Sequence, residues 1–313
     1  MRRFAIPALS AGLILAVGCG DISGPSRATL ITELPRDLTV SERAVIDGSN
    51  AFALGLLTEL RTLAPDSPNT FISPLSASMA LGMTMNGAEG QTWTQMRDVL
   101  GFAGLEEPAI NEAYRSLIDL LLSLDGAVEI GLGNAIWVDE VELLAGFVDR
   151  TETYFDAEVD RLDFDDPASA DVMNGWVDSV THGRIPKLLD RVDPDALLYL
   201  INAIYFNGGW RHTFDADRTA EASFQRLDGT TVSVPMMAGE IGYRTLNAGN
   251  PGAVQGVELP YAGGAFTAVV LLPPQATPID EWVAGLDGGT WADWMDHFDS
   301  QFTGEDPDGE GLL

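Results

Sequence analysis

The sequence holds a single cysteine in 313 residues, and only three histidines. No disulfide can form within the chain, so an oxidising compartment adds nothing to its stability. His182, His212 and His297 are far apart, and none sits in an H-E-x-x-H spacing, which removes the usual zinc helix. Nucleophile signatures are missing too: there is no G-x-S-x-G turn and no S-x-x-K. Basic residues are scarce, with Lys and Arg numbering 17 against 47 Asp and Glu, a formal charge of −30. Such a chain repels phosphate backbones and acidic lipid surfaces, which argues against nucleic acid as a partner. No catalytic residue, metal ligand or cofactor is assigned, and the chain does not read as an enzyme. Asp163, Asp165 and Asp166 lack the spaced ligand loop of a calcium site and read as a solvated turn before Pro167. Gly131-Leu132-Gly133 lacks the third glycine of a dinucleotide loop and lies inside a strand pattern.

What is present begins with a leader. Arg2 and Arg3 form a basic start, and Phe4 to Val17 is an apolar run too short to span a bilayer comfortably. Ala16-Val17-Gly18-Cys19 then resembles the lipobox of bacterial lipoproteins. That resemblance implies export of the chain and lipidation of Cys19, with membrane contact through the lipid anchor only. It places the protein in the cell envelope or outside the cell. Residues 1–19 thus read as a signal peptide and 20–40 as a flexible tether without clear period. Apolar residues make up 46% of the chain, with seven Trp, enough for a sizeable core over residues 41–302. Residues 303–313 form an acidic, Gly-rich tail.

Hydrophobic period places the elements. Ser41 is expected to cap a helix whose apolar face carries Val45, Phe52, Leu56 and Leu60. Ser73 and Pro74 open a second helix in which Leu75, Met79 and Met83 form a stripe, while Leu81 and Met85 are apolar off it. A helix apolar on most sides is a buried one. Gly87 and Gly90 are expected to end it. Further helices are expected over 93–100, 111–123 with Asn111 as cap, 143–155, from Pro167 to Gly183, 279–286 and 290–298. Residues 127–138 and 158–164 alternate as strands. Ala196 to Phe206 is almost wholly apolar, the mark of a strand buried on both faces. Residues 222–246 and 253–272 read as further strands, with Asp228-Gly229 as a hairpin turn. Helices come first and strands later, an α+β arrangement.

Several of these segments carry a joint signature. Asn69 to Thr92, built on Phe71-Ile72-Ser73-Pro74, is similar to the most recognisable motif of the serpins, a family of large, conformationally strained protease inhibitors. Asn174-Gly175-Trp176-Val177 with Thr181-His182-Gly183-Arg184-Ile185 looks like the helix that covers the main serpin sheet, and its exit. Leu200 to Trp210, followed by Phe214, is similar to the central strand of that sheet, apart from Asn207, where the family commonly has Lys. Val234-Pro235-Met236-Met237 and Glu258-Leu259-Pro260-Tyr261 match two later landmarks.

The resemblance implies a helical N-terminal part packed on a large mixed β-sheet, and a partial serpin domain incomplete at its C-terminal side. It implies that Ser73, Ser76 and Asn202 form the polar cluster under the sheet centre, the shutter, and that Trp210 marks the breach where a loop enters. It implies a serine or cysteine protease as partner, acyl-linked to a reactive loop that then inserts as an extra strand. The reactive centre is absent from these residues. No hinge rich in Glu, Gly, Thr and Ala, and no Phe/Pro-rich strand pair, follows Phe298. The expected consequence is an open apolar edge along 196–206, prone to take up a β-strand donor or to self-associate. The alternatives to an inhibitor are a non-inhibitory strand-accepting module and an inactive remnant.

Overall fold

The computed structural model describes residues 28–301, apart from 66, 68, 227 and 239–243. The leader with Cys19, residues 20–27 of the tether and the 303–313 tail lie outside the described residues. No helix among the described residues is long and apolar enough to cross a membrane.

Helix α1 runs from Val40 to Leu63. Its cap is Thr39, not Ser41. Thr39 Oγ1 accepts from Glu42 N at 3.1 Å, and Glu42 Oε2 accepts from Thr39 N at 2.7 Å. This reciprocal box satisfies two free helix-end donors, which Ser41 cannot do. Helix α2, Pro74–Met85, starts as expected, with Ser73 accepting from Ser76 N. Met79, Met83 and Met85 are fully buried. Gly90 opens α3 (Gly90–Val99) at φ +58° instead of closing α2. Helix α4 spans Glu107–Ser123, so Asn111 lies inside it. Helix α5, Ala145–Phe155, ends on Asp156 in the left-handed conformation.

Strands β1 (Val128–Val138), β2 (Ala157–Arg161) and β3 (Leu198–Gly208) form a mixed sheet in the order β2-β1-β3. Strand β2 runs parallel to β1, and β3 antiparallel. The register sorts the side chains by face. Leu132, Asn134 and Ile136 pair with Ile204, Asn202 and Leu200, and Leu132 and Leu200 pack against the core holding Met79, Tyr114 and Phe155. The opposite face, with Ala135, Trp137 and Ile201, packs on Met173 and Val177 of α6 (Ala168–Val180). Helix α6 lies so close that a Cβ on Gly133 would stand 2.9 Å from Trp176. Gly131 and Gly133 therefore serve helix–strand packing.

Strands β4 (Ala220–Gln225) and β5 (Thr231–Met236) make a hairpin, with Asp228 Oδ1 accepting from Thr230 N in the turn. Strands β6 (Arg244–Leu246), β7 (Gln255–Pro260) and β8 (Thr267–Leu272) form an antiparallel sheet. Helix α7 (Ile279–Ala284) packs on α1, and α8 (Gly288–Ser300) on α1 and β6.

The tether's last residues are held to the domain. Ile31 N donates to Gly263 O at 2.8 Å. Arg36 donates to both carboxylate oxygens of Glu42, at 2.9 and 2.6 Å, and to Ser116 Oγ at 2.7 Å. The Arg36 hydrogen bonds outweigh the cost of burying Glu42 and lower its pKa from about 4.5 to about 2, with Ser116 and Thr39 adding to the effect. A depressed carboxylate adds stability that is complete above its unfolded pKa and lost as pH falls through the folded one. Glu42→Gln is therefore expected to lower stability by about 2 kcal/mol at pH 6. In thermal unfolding scans the gap to the wild type should close between pH 4.5 and 2. A gap that does not change with pH would refute the assignment.

Candidate functional site

The main sheet ends at β3. Among the described residues β3 pairs only with β1, so its other edge carries unpaired backbone donors and acceptors. The strand expected to be buried on both faces is therefore only partly covered. Ile201 and Ala203 are buried, while Leu198 and Phe206 are 40% and 41% exposed. The apolar run Ala196–Phe206 supplies the β-propensity, and among the described residues only β1 pairs with it.

At the middle of β3, Asn202 faces α2. Its Nδ2 donates to Asn134 Oδ1 at 2.8 Å and to Gly133 O at 3.3 Å, and lies 3.9 Å from Met79 Sδ. Asn134 in turn donates to Phe155 O at 2.7 Å. Ser73 and Ser76 bond to each other, Oγ to Oγ at 3.0 Å, and no hydrogen bond joins either to Asn202. The three residues thus form two separate polar groups on facing elements. Asn202 Oδ1 is buried and has no hydrogen-bond partner. Such an acceptor costs about 1–3 kcal/mol relative to a satisfied one.

Sequence reasoning misses Asn134. Its only signal is a polar residue alternating with Leu132 and Ile136 on a buried strand face. Also missed is the pair Asn86–Asn111, whose side-chain amides exchange bonds at 3.0 and 2.7 Å inside the helical core. Near them Tyr114 bonds Ser78 Oγ at 2.6 Å. Burial pushes the Tyr114 hydroxyl well above the ordinary phenol range.

At the end of β3, Trp210 pairs with Tyr261 as an isolated antiparallel bridge and stacks on its ring, centroids 4.4 Å apart. Phe206 meets Tyr261 edge-on at 5.0 Å. Trp210 therefore ties the exit of the main sheet to the turn between β7 and β8. His182 takes a left-handed φ of +51° after α6 and stacks on Tyr205 at 4.5 Å. Asp163 and Asp166 are turned inward on their own loop, accepting from Asp165 N and Ala168 N. Among the described residues no group of three or more His, Cys, Asp or Glu is placed to hold a metal.

A mixed sheet backed by a buried Met-rich helix and covered by α6 is an arrangement that can be compared with known proteins. The family described as "Serpin (serine protease inhibitor)" matches residues 47–304. The chain belongs to the serpin family. Corticosteroid-binding globulin of Oryctolagus cuniculus is 37% identical over 248 residues, covering 78% of this chain and 63% of that protein. A serine protease inhibitor of Mus musculus is 32% identical over 298 residues, covering 91% of this chain and 65% of that protein. The chain thus spans less than two thirds of the length of these curated relatives. Among solved structures, cleaved kallistatin complexed with heparin superposes with a TM-score of 0.77 at 25% identity, covering 87% of this chain and 79% of that one. The thermophilic serpin tengpin in the latent state gives 0.73 at 25% identity, covering 89% and 70%. This serpin has helices and mixed sheets in the family's arrangement.

Proposed function

We propose that this serpin is the strand-accepting scaffold of a serine protease inhibitor, in which β3 is the strand beside which an added strand pairs. The observation that carries the reading is the free edge of β3 together with the unpartnered Asn202 Oδ1 beneath it. An inserted strand completes the ladder and supplies main-chain donors at that level of the sheet. The 313 residues contain no segment of the hinge type that would serve as bait for a serine or cysteine protease. The chain is therefore expected to give no adduct with a panel of such proteases on a denaturing gel. An SDS-stable, hydroxylamine-sensitive adduct would show that it carries its own bait and would overturn the reading.

A second reading, a non-inhibitory binder, is favoured by the corticosteroid-binding globulins among the relatives, which are named for binding and not for inhibition. It keeps the scaffold and gives up the protease.

We also propose that Cys19 anchors the chain in the envelope through lipid, on the support of its place directly after Ala16-Val17-Gly18. In a bacterial expression host, Cys19→Ser is expected to abolish labelling with radioactive palmitate and to shift the protein from the membrane to the soluble fraction. Unchanged labelling would refute the anchor.

A further inference from the structure

A cavity of about 300 Å³ lies between α1, α2, α4 and β1, and no residue of β3 lines it. It is independent of the strand-accepting edge. Leu75 and Met79 of α2 and Leu117 and Leu121 of α4 form facing apolar walls. Ser49 and Asn50 on α1 supply polar atoms at one side, and no side-chain hydrogen bond engages either among the described residues. An apolar chamber of this size with few convergent polar groups has the make-up of a small-molecule site. Apolar walls of this kind accept apolar guests.

One part of its lining lies outside the helices and β1. Leu34 and Leu38 line the cavity from the segment that precedes α1. Arg36, between them, is held by both carboxylate oxygens of Glu42 on α1 and by Ser116 Oγ on α4. That segment is thus pinned to α1 and α4, two of the helices that make the walls. Arg36 is the cation closest in sequence to the lining residues 34 and 38, and Glu42 neutralises it. No Lys, Arg or His lines the cavity, in a chain of net charge −30. An anionic guest finds no counter-charge there and is repelled by the surrounding field.

We propose that this cavity binds a small, neutral, apolar molecule bearing one hydrogen-bonding group. The apolar body lies between α2 and α4, the polar end meets Ser49 and Asn50, and residues 34–38 gate entry.

The test uses the full chain and the neutral fluorophore N-phenyl-1-naphthylamine. Saturable, one-to-one binding is expected. Ser49→Phe and Leu75→Trp fill the cavity from partly exposed positions, and each should weaken binding about tenfold or more. Arg36→Met should speed both association and dissociation in stopped flow. Phe224→Ser, on the exposed β4–β5 hairpin, should leave Kd within about twofold. The anionic relative 1-anilinonaphthalene-8-sulfonate should bind about tenfold more weakly or worse. Several results would overturn the proposal: non-saturable binding, binding unmoved by both cavity-filling variants, loss of binding in Phe224→Ser, or equal affinity for the anionic probe.

Discussion

Hydrogen exchange on the purified chain is expected to divide β3 in two. In an antiparallel pair, alternate amides of a strand point to the partner and the others point away. Amides of residues 198–208 that face β1 should exchange slowly, and the outward set should exchange nearly as fast as an open chain. Adding an extended apolar peptide should then protect the outward set by about a hundredfold, because each amide gains a ladder partner. At a peptide concentration about 100 times Kd, the same binding raises unfolding free energy by about 2.7 kcal/mol. Asn202→Leu should keep the fold but weaken peptide uptake, since it removes the unpartnered acceptor under the new strand. If the outward amides of the monomer are already as protected as those of β1, the edge is not free and the proposed function falls.

The same edge explains an expected salt effect. An exposed apolar strand edge recruits other edges, whereas a net charge of −30 holds copies of the chain apart. The Debye length falls from about 10 Å at 0.1 M salt to about 3 Å at 1 M. Self-association should therefore rise with ionic strength in light scattering, and a strand-donating peptide should suppress it. If scattering does not change with salt, charge repulsion is not what opposes association through the edge.

What could be read from the sequence was local or periodic. Ser73 caps α2 because its hydroxyl needs only the next turn. Asp228-Gly229 turns the β4–β5 hairpin for an equally local reason. The strand near 196–206 is legible from composition, although it lies at 198–208. Some differences are local, such as Thr39 rather than Ser41 capping α1 and Gly90 opening α3; others depend on partners distant in sequence. Asn111 looked like a cap because a polar residue stands before an apolar period, but its partner is Asn86, 25 residues away in the core. The family resemblance groups Ser73, Ser76 and Asn202, and their side-chain hydrogen bonds here fall into two sets. The β1–β3 register gives Asn202 to Asn134, while the two serines, three residues apart on one helix turn, satisfy each other. The strap formed by residues 34–38 was also hidden. Its hold comes from Arg36 bonding Glu42 and reaching Ser116, 80 residues on, and no period announces such contacts.

Two glycines on α1 should separate by several kcal/mol when each is changed to alanine. Helix interiors disfavour glycine by about 1 kcal/mol relative to alanine, so Gly48 and Gly55 both weaken α1 locally. Gly55 is exposed, with nothing within 4 Å of an added Cβ. Gly55→Ala should therefore stabilise the protein by about 0.5–1 kcal/mol. Gly48 is buried where α1 crosses the turn after α3. A Cβ there would stand 2.5 Å from Gly101 O and 2.8 Å from Gly101 C, both backbone atoms. Gly101 cannot yield easily, because it is held at φ +81° with Leu100 and Phe102 on either side, each 1% exposed. Phe102 in turn meets Tyr114 edge-on at 5.7 Å. Relief requires α1 to lift off the turn, which opens the core around Val45 and Phe102. Gly48→Ala is expected to cost about 3–4 kcal/mol, seen as a fall in Tm of about 10 °C. Gly101→Ala should match or exceed it, since it adds left-handed backbone strain to the same clash. If Gly48→Ala behaved like Gly55→Ala, the close crossing of α1 and the 100–102 turn would not exist in solution, and the packing of α1 on this serpin's core would have to be redrawn.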